Sequence, residues 1–209
     1  GPDYLPGHAH ADTLSFEWSV GNERVIVNSG TSVYGVSLER LRQRQTAAHS
    51  TVEVDGKDSS EVWSGFRVAR RAYGKLESYS GDGNKVVLSA SHAGYSRGKK
   101  QLIHRRTLTA EVNQLEIEDS IEGESKISIA YFHLHPEVNI KQIDSCRLSL
   151  SLKSGNEVIL NSSEPLKLLP STWHPGFGKE IVSTKVVIPF SCSELTTTFK
   201  LSSHTLPQV

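Results

Sequence analysis

Apolar and polar residues alternate along Thr13-Leu14-Ser15-Phe16-Glu17-Trp18-Ser19-Val20, with Leu14, Phe16, Trp18 and Val20 on one side and the polar residues on the other. Such a period of two predicts a half-buried β-strand. Gly21-Asn22-Glu23 then signals a turn, and Arg24-Val25-Ile26-Val27-Asn28 a returning strand. Similar runs predict strands over 49–54, 66–73, 75–80, 85–92, 101–109, 112–121, 126–135, 146–153, 156–160, 181–190 and 195–203. Asp55-Gly56, Gly81-Asp82-Gly83-Asn84, Gly94, Asn113, Glu122-Gly123-Glu124, Ser154-Gly155-Asn156 and Pro170 break them apart. Many short strands joined by turn chemistry predict an all-β fold, an antiparallel β-sandwich of two packed sheets. Helix is expected only as a short element over Ser37–Arg44, where Leu38 and Leu41 share a face and Arg40, Arg42 and Arg44 read as a solvated surface. No repeat, low-complexity tract or linker interrupts the pattern, so residues 1–209 read as a single domain.

Composition adds bounds. The chain has 209 residues, enough for a sizeable core. Its 23 Lys+Arg match 23 Asp+Glu, so net charge supplies no footprint for nucleic acid. No apolar run approaches the ~18 residues of a membrane span. No charged-then-apolar leader precedes the first motif. The absence of methionine and the start at Gly1-Pro2 suggest a fragment of a longer chain. Cys146 and Cys192 lie in separate strand-like segments without a CxxC motif, and pairing and the reduced state are both open.

Candidate chemistry gathers in Gly7-His8-Ala9-His10-Ala11-Asp12, at the mouth of the first predicted strand. In an extended chain His8 and His10 point the same way. Hairpin arithmetic about Gly21–Glu23 sets Asn28 opposite residues 15–17. His10 therefore meets Asn28 only if residues 7–13 curl back over the sheet end, which the small residues Gly7, Ala9 and Ala11 permit. His49, at the head of its strand, is a third imidazole able to converge there. His133, His135 and His174 read as ordinary surface or core histidines.

Several ordered motifs carry a family resemblance: Gly7-His8-Ala9-His10-Ala11-Asp12, Val25-Ile26-Val27-Asn28-Ser29-Gly30-Thr31, Thr46-Ala47-Ala48-His49-Ser50-Thr51-Val52-Glu53-Val54-Asp55-Gly56 and Trp63-Ser64-Gly65-Phe66-Arg67-Val68. Together with Tyr131-Phe132-His133-Leu134-His135-Pro136 and Pro175-Gly176-Phe177-Gly178-Lys179, the chain resembles the C-terminal β-sandwich of the heparinase II/III-like polysaccharide lyases. The resemblance implies a two-part enzyme whose N-terminal helical toroid, absent from this chain, supplies a catalytic tyrosine and part of the cleft. Tyr4 and Tyr34 flank the histidine motif but match no catalytic position of the family. His8 matches the catalytic position at the cleft, while His10, Asn28 and His49 match a His, Asp, His zinc site. Asn28 replaces a carboxylate with a neutral amide, a poor zinc ligand. A weakened Zn2+ site and a metal-free polar cluster are both open, and Asp12 is near enough in sequence to be a replacement carboxylate.

The implied reaction is β-elimination on an acidic, uronate-containing polysaccharide, in a bacterial protein of periplasmic or secreted location. Trp63 reads either as a sugar platform or as a plug of the sandwich edge. Arg67 reads as a bidentate contact to the polymer, while Arg70 and Arg71 fit an exposed sheet face better. The competing reading is a non-catalytic carbohydrate-binding or structural sandwich with a decayed metal site, because fold alone does not separate these classes. The paired histidines favour the enzyme.

Overall fold

Tight turns that satisfy their own backbone convert the alternating runs into a meander. The Asp82 carboxylate accepts from the amides of Asn84 and Lys85, each at 3.0 Å, and Gly83 takes φ 90° between two strands. The computed structural model describes residues 6–202; Gly1, Pro2, Tyr4 and residue 203 of the last expected strand lie outside them. The elements are β1 (Trp18–Val20), β2 (Glu23–Ile26), α1 (Leu38–Arg44), β3 (Val52–Val54), β4 (Val62–Trp63), β5 (Arg67–Val68), β6 (Lys75–Gly81), β7 (Lys85–His92) and β8 (Ile103–Glu111). They continue as β9 (Gln114–Glu122), β10 (Ser128–His133), β11 (Asn139–Gln142), β12 (Arg147–Ser151), β13 (Glu157–Ser162), β14 (Lys167–Trp173), β15 (Ile181–Phe190) and β16 (Glu194–Ser202).

An eight-stranded sheet of order β11-β12-β13-β16-β9-β8-β7-β6 packs against a four-stranded sheet of order β14-β15-β10-β3. Strand pairing is antiparallel, as the sandwich reading expects. Phe132 of β10 meets Phe199 of β16 edge-on at 5.6 Å between the sheets. Phe16 packs on Phe132 and Trp18 on Phe199, so the segment leading into the β1–β2 hairpin closes one end of the core.

Three expectations need correction. The predicted strand 13–20 is a strand only over Trp18–Val20. Leu14 takes φ 64°, and Ser15 donates back to the Asp12 carbonyl at 2.9 Å, forming a turn where the pattern suggested extended chain. Pro170 lies inside β14, opposite Thr184, and does not end a strand. A proline that cannot donate is tolerated there because β14 is an edge strand. The run 66–73 is paired only at Arg67–Val68, and β11 is an additional strand. Helix α1 does match its expected place, with the Ser37 hydroxyl accepting from the Arg40 amide at 3.0 Å.

The large sheet hides a charged network. Arg106 of β8 lies directly across from Asp119 of β9 and donates to both its carboxylate oxygens at 2.8 and 2.9 Å. Burial opposes the Asp119 charge, yet Arg106 and His104 hold its carboxyl well below the usual carboxylate range. The remaining Arg106 nitrogen donates to the Leu14 carbonyl at 3.0 Å and the Ser50 carbonyl at 2.7 Å. One guanidinium therefore ties the sheet to the left-handed turn after Asp12 and to the segment after His49. Asp119→Asn strips the charge from this pair and should cost about 3–5 kcal/mol. In a chain of this size that is a fall of roughly 10 °C in the thermal midpoint. An unchanged midpoint would contradict the tie.

Candidate functional site

Helix α1 presents its polar face inward. Leu38 is 87% exposed, whereas Arg40, Gln43 and Arg44 are fully buried, which corrects the solvated reading of Arg40 and Arg44. Arg42 is half-buried and pairs with Glu39 at 2.6 and 2.8 Å. Among the described residues Arg44 has no carboxylate partner; its guanidinium donates to carbonyls of two separate segments, the histidine motif and the β4–β5 hairpin. These are Ala9 at 3.0 and 3.1 Å, Ser64 at 3.2 Å with Trp63 at 3.4 Å, and Arg67 at 3.1 Å. The Ala11 amide donates to the Arg44 carbonyl at 2.8 Å, and Thr46 Oγ1 donates to the Ala11 carbonyl at 2.9 Å. Together these bonds seat the histidine motif and the β4–β5 hairpin on the same helix end. Arg40 and Arg44, four apart, share a helix face, and that spacing was the available signal; nothing local says which face turns inward.

Curling of residues 7–13 brings His10 onto His49, with Nδ1 of the first 3.2 Å from Nε2 of the second. On the other side, Arg40 Nη1 lies 3.2 Å from His10 Nε2 and from Thr31 Oγ1, and Arg40 Nε donates to the Gly65 carbonyl at 3.2 Å. Gly65 must be glycine here, because a Cβ would collide with the Gly35 carbonyl. The Asn28 Oδ1 accepts from the Gly30 amide at 2.9 Å, and among the described residues Asn28 has no hydrogen bond to either imidazole. The same is true of Asp12, whose carboxyl is raised above its ordinary value by burial. Burial, followed by the charges of Arg40 and Arg44, pushes His10 down to about 4. Burial, then His10 and His133, pushes His49 well below its usual range.

The donor set does not fit zinc. A guanidinium only donates, so His10 Nε2 must accept from Arg40. The proton of the neutral ring then sits on Nδ1 and points at His49 Nε2. Zinc would need the lone pairs of both facing nitrogens, and its bound His10 would turn an Nε2–H toward Arg40. No carboxylate among the described residues completes the set. Among the described residues the one histidine–carboxylate trio close enough for a metal is Glu39, His174 and Glu180, where Arg42 already occupies the Glu39 carboxylate.

His8 is exposed beside this buried frame, edge-on to Tyr34 at 5.7 Å and to Phe66 at 6.0 Å. Tyr34 lies parallel to Phe66 at 6.4 Å and to Phe177 at 5.7 Å, making a row of open rings that the sequence reading missed. Phe177 is the most open, at 71%. Trp63 and Arg67 are cross-strand partners on β4 and β5, with the guanidinium 5.6 Å from the indole centroid. Trp63 is exposed and does not plug the sandwich. His133 and His174 are buried and His135 half-buried against Trp173. Cys146 and Cys192 are free.

Two measurements probe this frame. Arg44→Lys offers one ammonium for the carbonyls of two separate segments and should cost about 3 kcal/mol, a fall of roughly 6–12 °C in the thermal midpoint; a variant as stable as the parent would show that the carbonyl cluster is not the anchor. The neutral histidines set the pH response. Their folded values lie below the 6.5 of a free imidazole, so only the unfolded chain takes up protons as pH falls from 6.5. Stability should be flat near and above neutrality and decline from about pH 6.5 toward 5. His49→Gln should flatten that decline, and an equal slope in parent and variant would remove His49 from the account.

The family model of the heparinase II/III-like C-terminal domain matches residues 1–202. No curated protein sequence matches the chain. Among solved structures, the heparan sulfate lyase HepC from Pedobacter heparinus superposes with a TM-score of 0.77 at 17% identity, over 96% of this chain and 32% of that one. A structure described as heparinase III gives 0.74 at 18% identity, over 96% and 31% of the two chains. The chain thus spans about a third of the length of the structures it matches, and at these identities the likeness speaks for the fold. With the family model matched along nearly the whole chain, this protein belongs to the heparinase II/III-like C-terminal domain family.

Proposed function

We propose that this chain is the C-terminal domain of a polysaccharide lyase that cleaves an acidic, uronate-containing polymer by β-elimination, with His8 as its contribution to the chemistry. The observation that carries the reading is the setting of His8, an open imidazole at the edge of an otherwise buried histidine–arginine frame. In the reaction a base takes the proton on the carbon next to the uronate carboxylate. The electron pair forms a carbon–carbon double bond as the bond to the glycosidic oxygen breaks, and an acid protonates that oxygen. Imidazole is the side chain best suited to exchange protons near neutral pH. The parallel rings of Phe66, Tyr34 and Phe177 fit the apolar faces of sugars. Arg67 fits the polymer's negative charge. The opposite wall of the cleft is assigned to an N-terminal helical toroid domain of the full-length protein.

The open aromatic row also favours a second reading, a sandwich that binds carbohydrate without acting on it. Turnover separates the two. In the full-length protein His8→Ala should lower turnover on the preferred uronate polymer by roughly a hundredfold or more, the scale of a positioned acid–base group. The thermal midpoint should hardly move, since His8 is exposed. Product is followed by the ultraviolet absorbance of the unsaturated uronate. The isolated 209-residue chain should form none, because β-elimination needs a base, an acid and a carboxylate neutraliser held around one sugar. Full activity in the His8→Ala protein would place the chemistry elsewhere, and brisk cleavage by the isolated chain would remove the need for a second wall.

A further inference from the structure

Arg40 is a fully buried guanidinium with no carboxylate bound to it among the described residues. A charge in that position is expensive unless the surroundings are built for it. Here they are built for three of its contacts, while Arg40 Nη2 is buried without a hydrogen-bond partner among the described residues. The ring faces of Tyr34 and Phe66 lie 5.2 and 6.0 Å from its central carbon. Thr31 Oγ1, the Gly65 carbonyl and His10 Nε2 each accept from it at 3.2 Å. His10 in turn hands its remaining proton to His49. Arg40 thus holds the outer nitrogen of His10, and the facing nitrogens of His10 and His49 are already joined by a hydrogen bond.

We propose that the Arg40 guanidinium, by donating to the outer nitrogen of His10, holds the His10–His49 pair as a hydrogen-bond relay in place of a metal centre, making this a metal-free member of its family. Arg40 also touches Tyr34 and Phe66, the rings that flank His8, so it is a positioning residue for His8 as well as for His10. The inference does not depend on the lyase reading.

The first measurement needs no altered side chain. In the 209-residue chain labelled with 15N-histidine, His10 should show the Nδ1–H tautomer at neutral pH, and zinc chloride should leave the His10 and His49 resonances in place. The double variant Asn28→Asp, Arg40→Met restores a carboxylate and removes the guanidinium. It should bind zinc roughly 10–100-fold tighter than the parent by calorimetry, the range over which outer ligands tune such sites. His49→Ala in that background should abolish the gain. An Nε2–H tautomer in the parent would overturn the proposal. So would stoichiometric zinc binding by the parent that shifts both histidines, or a double variant with no gain in affinity.

Discussion

Everything at the candidate site hangs on a guanidinium buried, among the described residues, without a counter-charge. Arg44 sits at the C-terminal end of α1 and uses carbonyl oxygens from two segments in place of a carboxylate. An ion pair would have satisfied the charge with one partner and left the loops independent. Carbonyl capture distributes the same positive charge over Ala9, Ser64 and Arg67, so the histidine motif and the β4–β5 hairpin cannot move apart without stranding buried donors. The helix dipole helps, since its C-terminal end favours positive charge.

That solution imposes a second constraint. With Arg40 and Arg44 both nearby, His10 is held neutral by burial and by that field, and His49 by burial with His10 and His133 beside it. A neutral pair of imidazoles can either ligate a metal or relay a hydrogen bond. Which one occurs depends on what faces their outer nitrogens, and here a permanent donor faces His10. His8, only two residues before His10, lies instead on the open side of the aromatic row.

Arg106 repeats the device on the sheet side, with Asp119 as its anchor and the Leu14 and Ser50 carbonyls as its cargo. Between them, Arg44 and Arg106 bracket the segment from Ala9 to Leu14 and the turn into His49. The β-sandwich is thus a rigid frame onto which irregular loops are bolted by cations, and the open chemistry lies on those loops.

What the sequence by itself determined was everything governed by local periodicity and turn chemistry. The alternating runs, Asp82-Gly83 and the Ser37 cap act through neighbours a few residues away, so the all-β class and the short helix were legible. So were the histidine motif and its partner His49, because their types and order along the chain carry the resemblance. The tertiary structure alone decided which side of α1 faced inward, because Arg40 and Arg44 are buried only where distant loops offer carbonyls and rings. It likewise decided that Leu14 would leave the strand pattern, held by an arginine far along the chain, and that Pro170 would be tolerated at a sheet edge. Local pattern reports what a segment can be. Whether a charge is buried or a strand ends depends on partners that only the folded chain brings near.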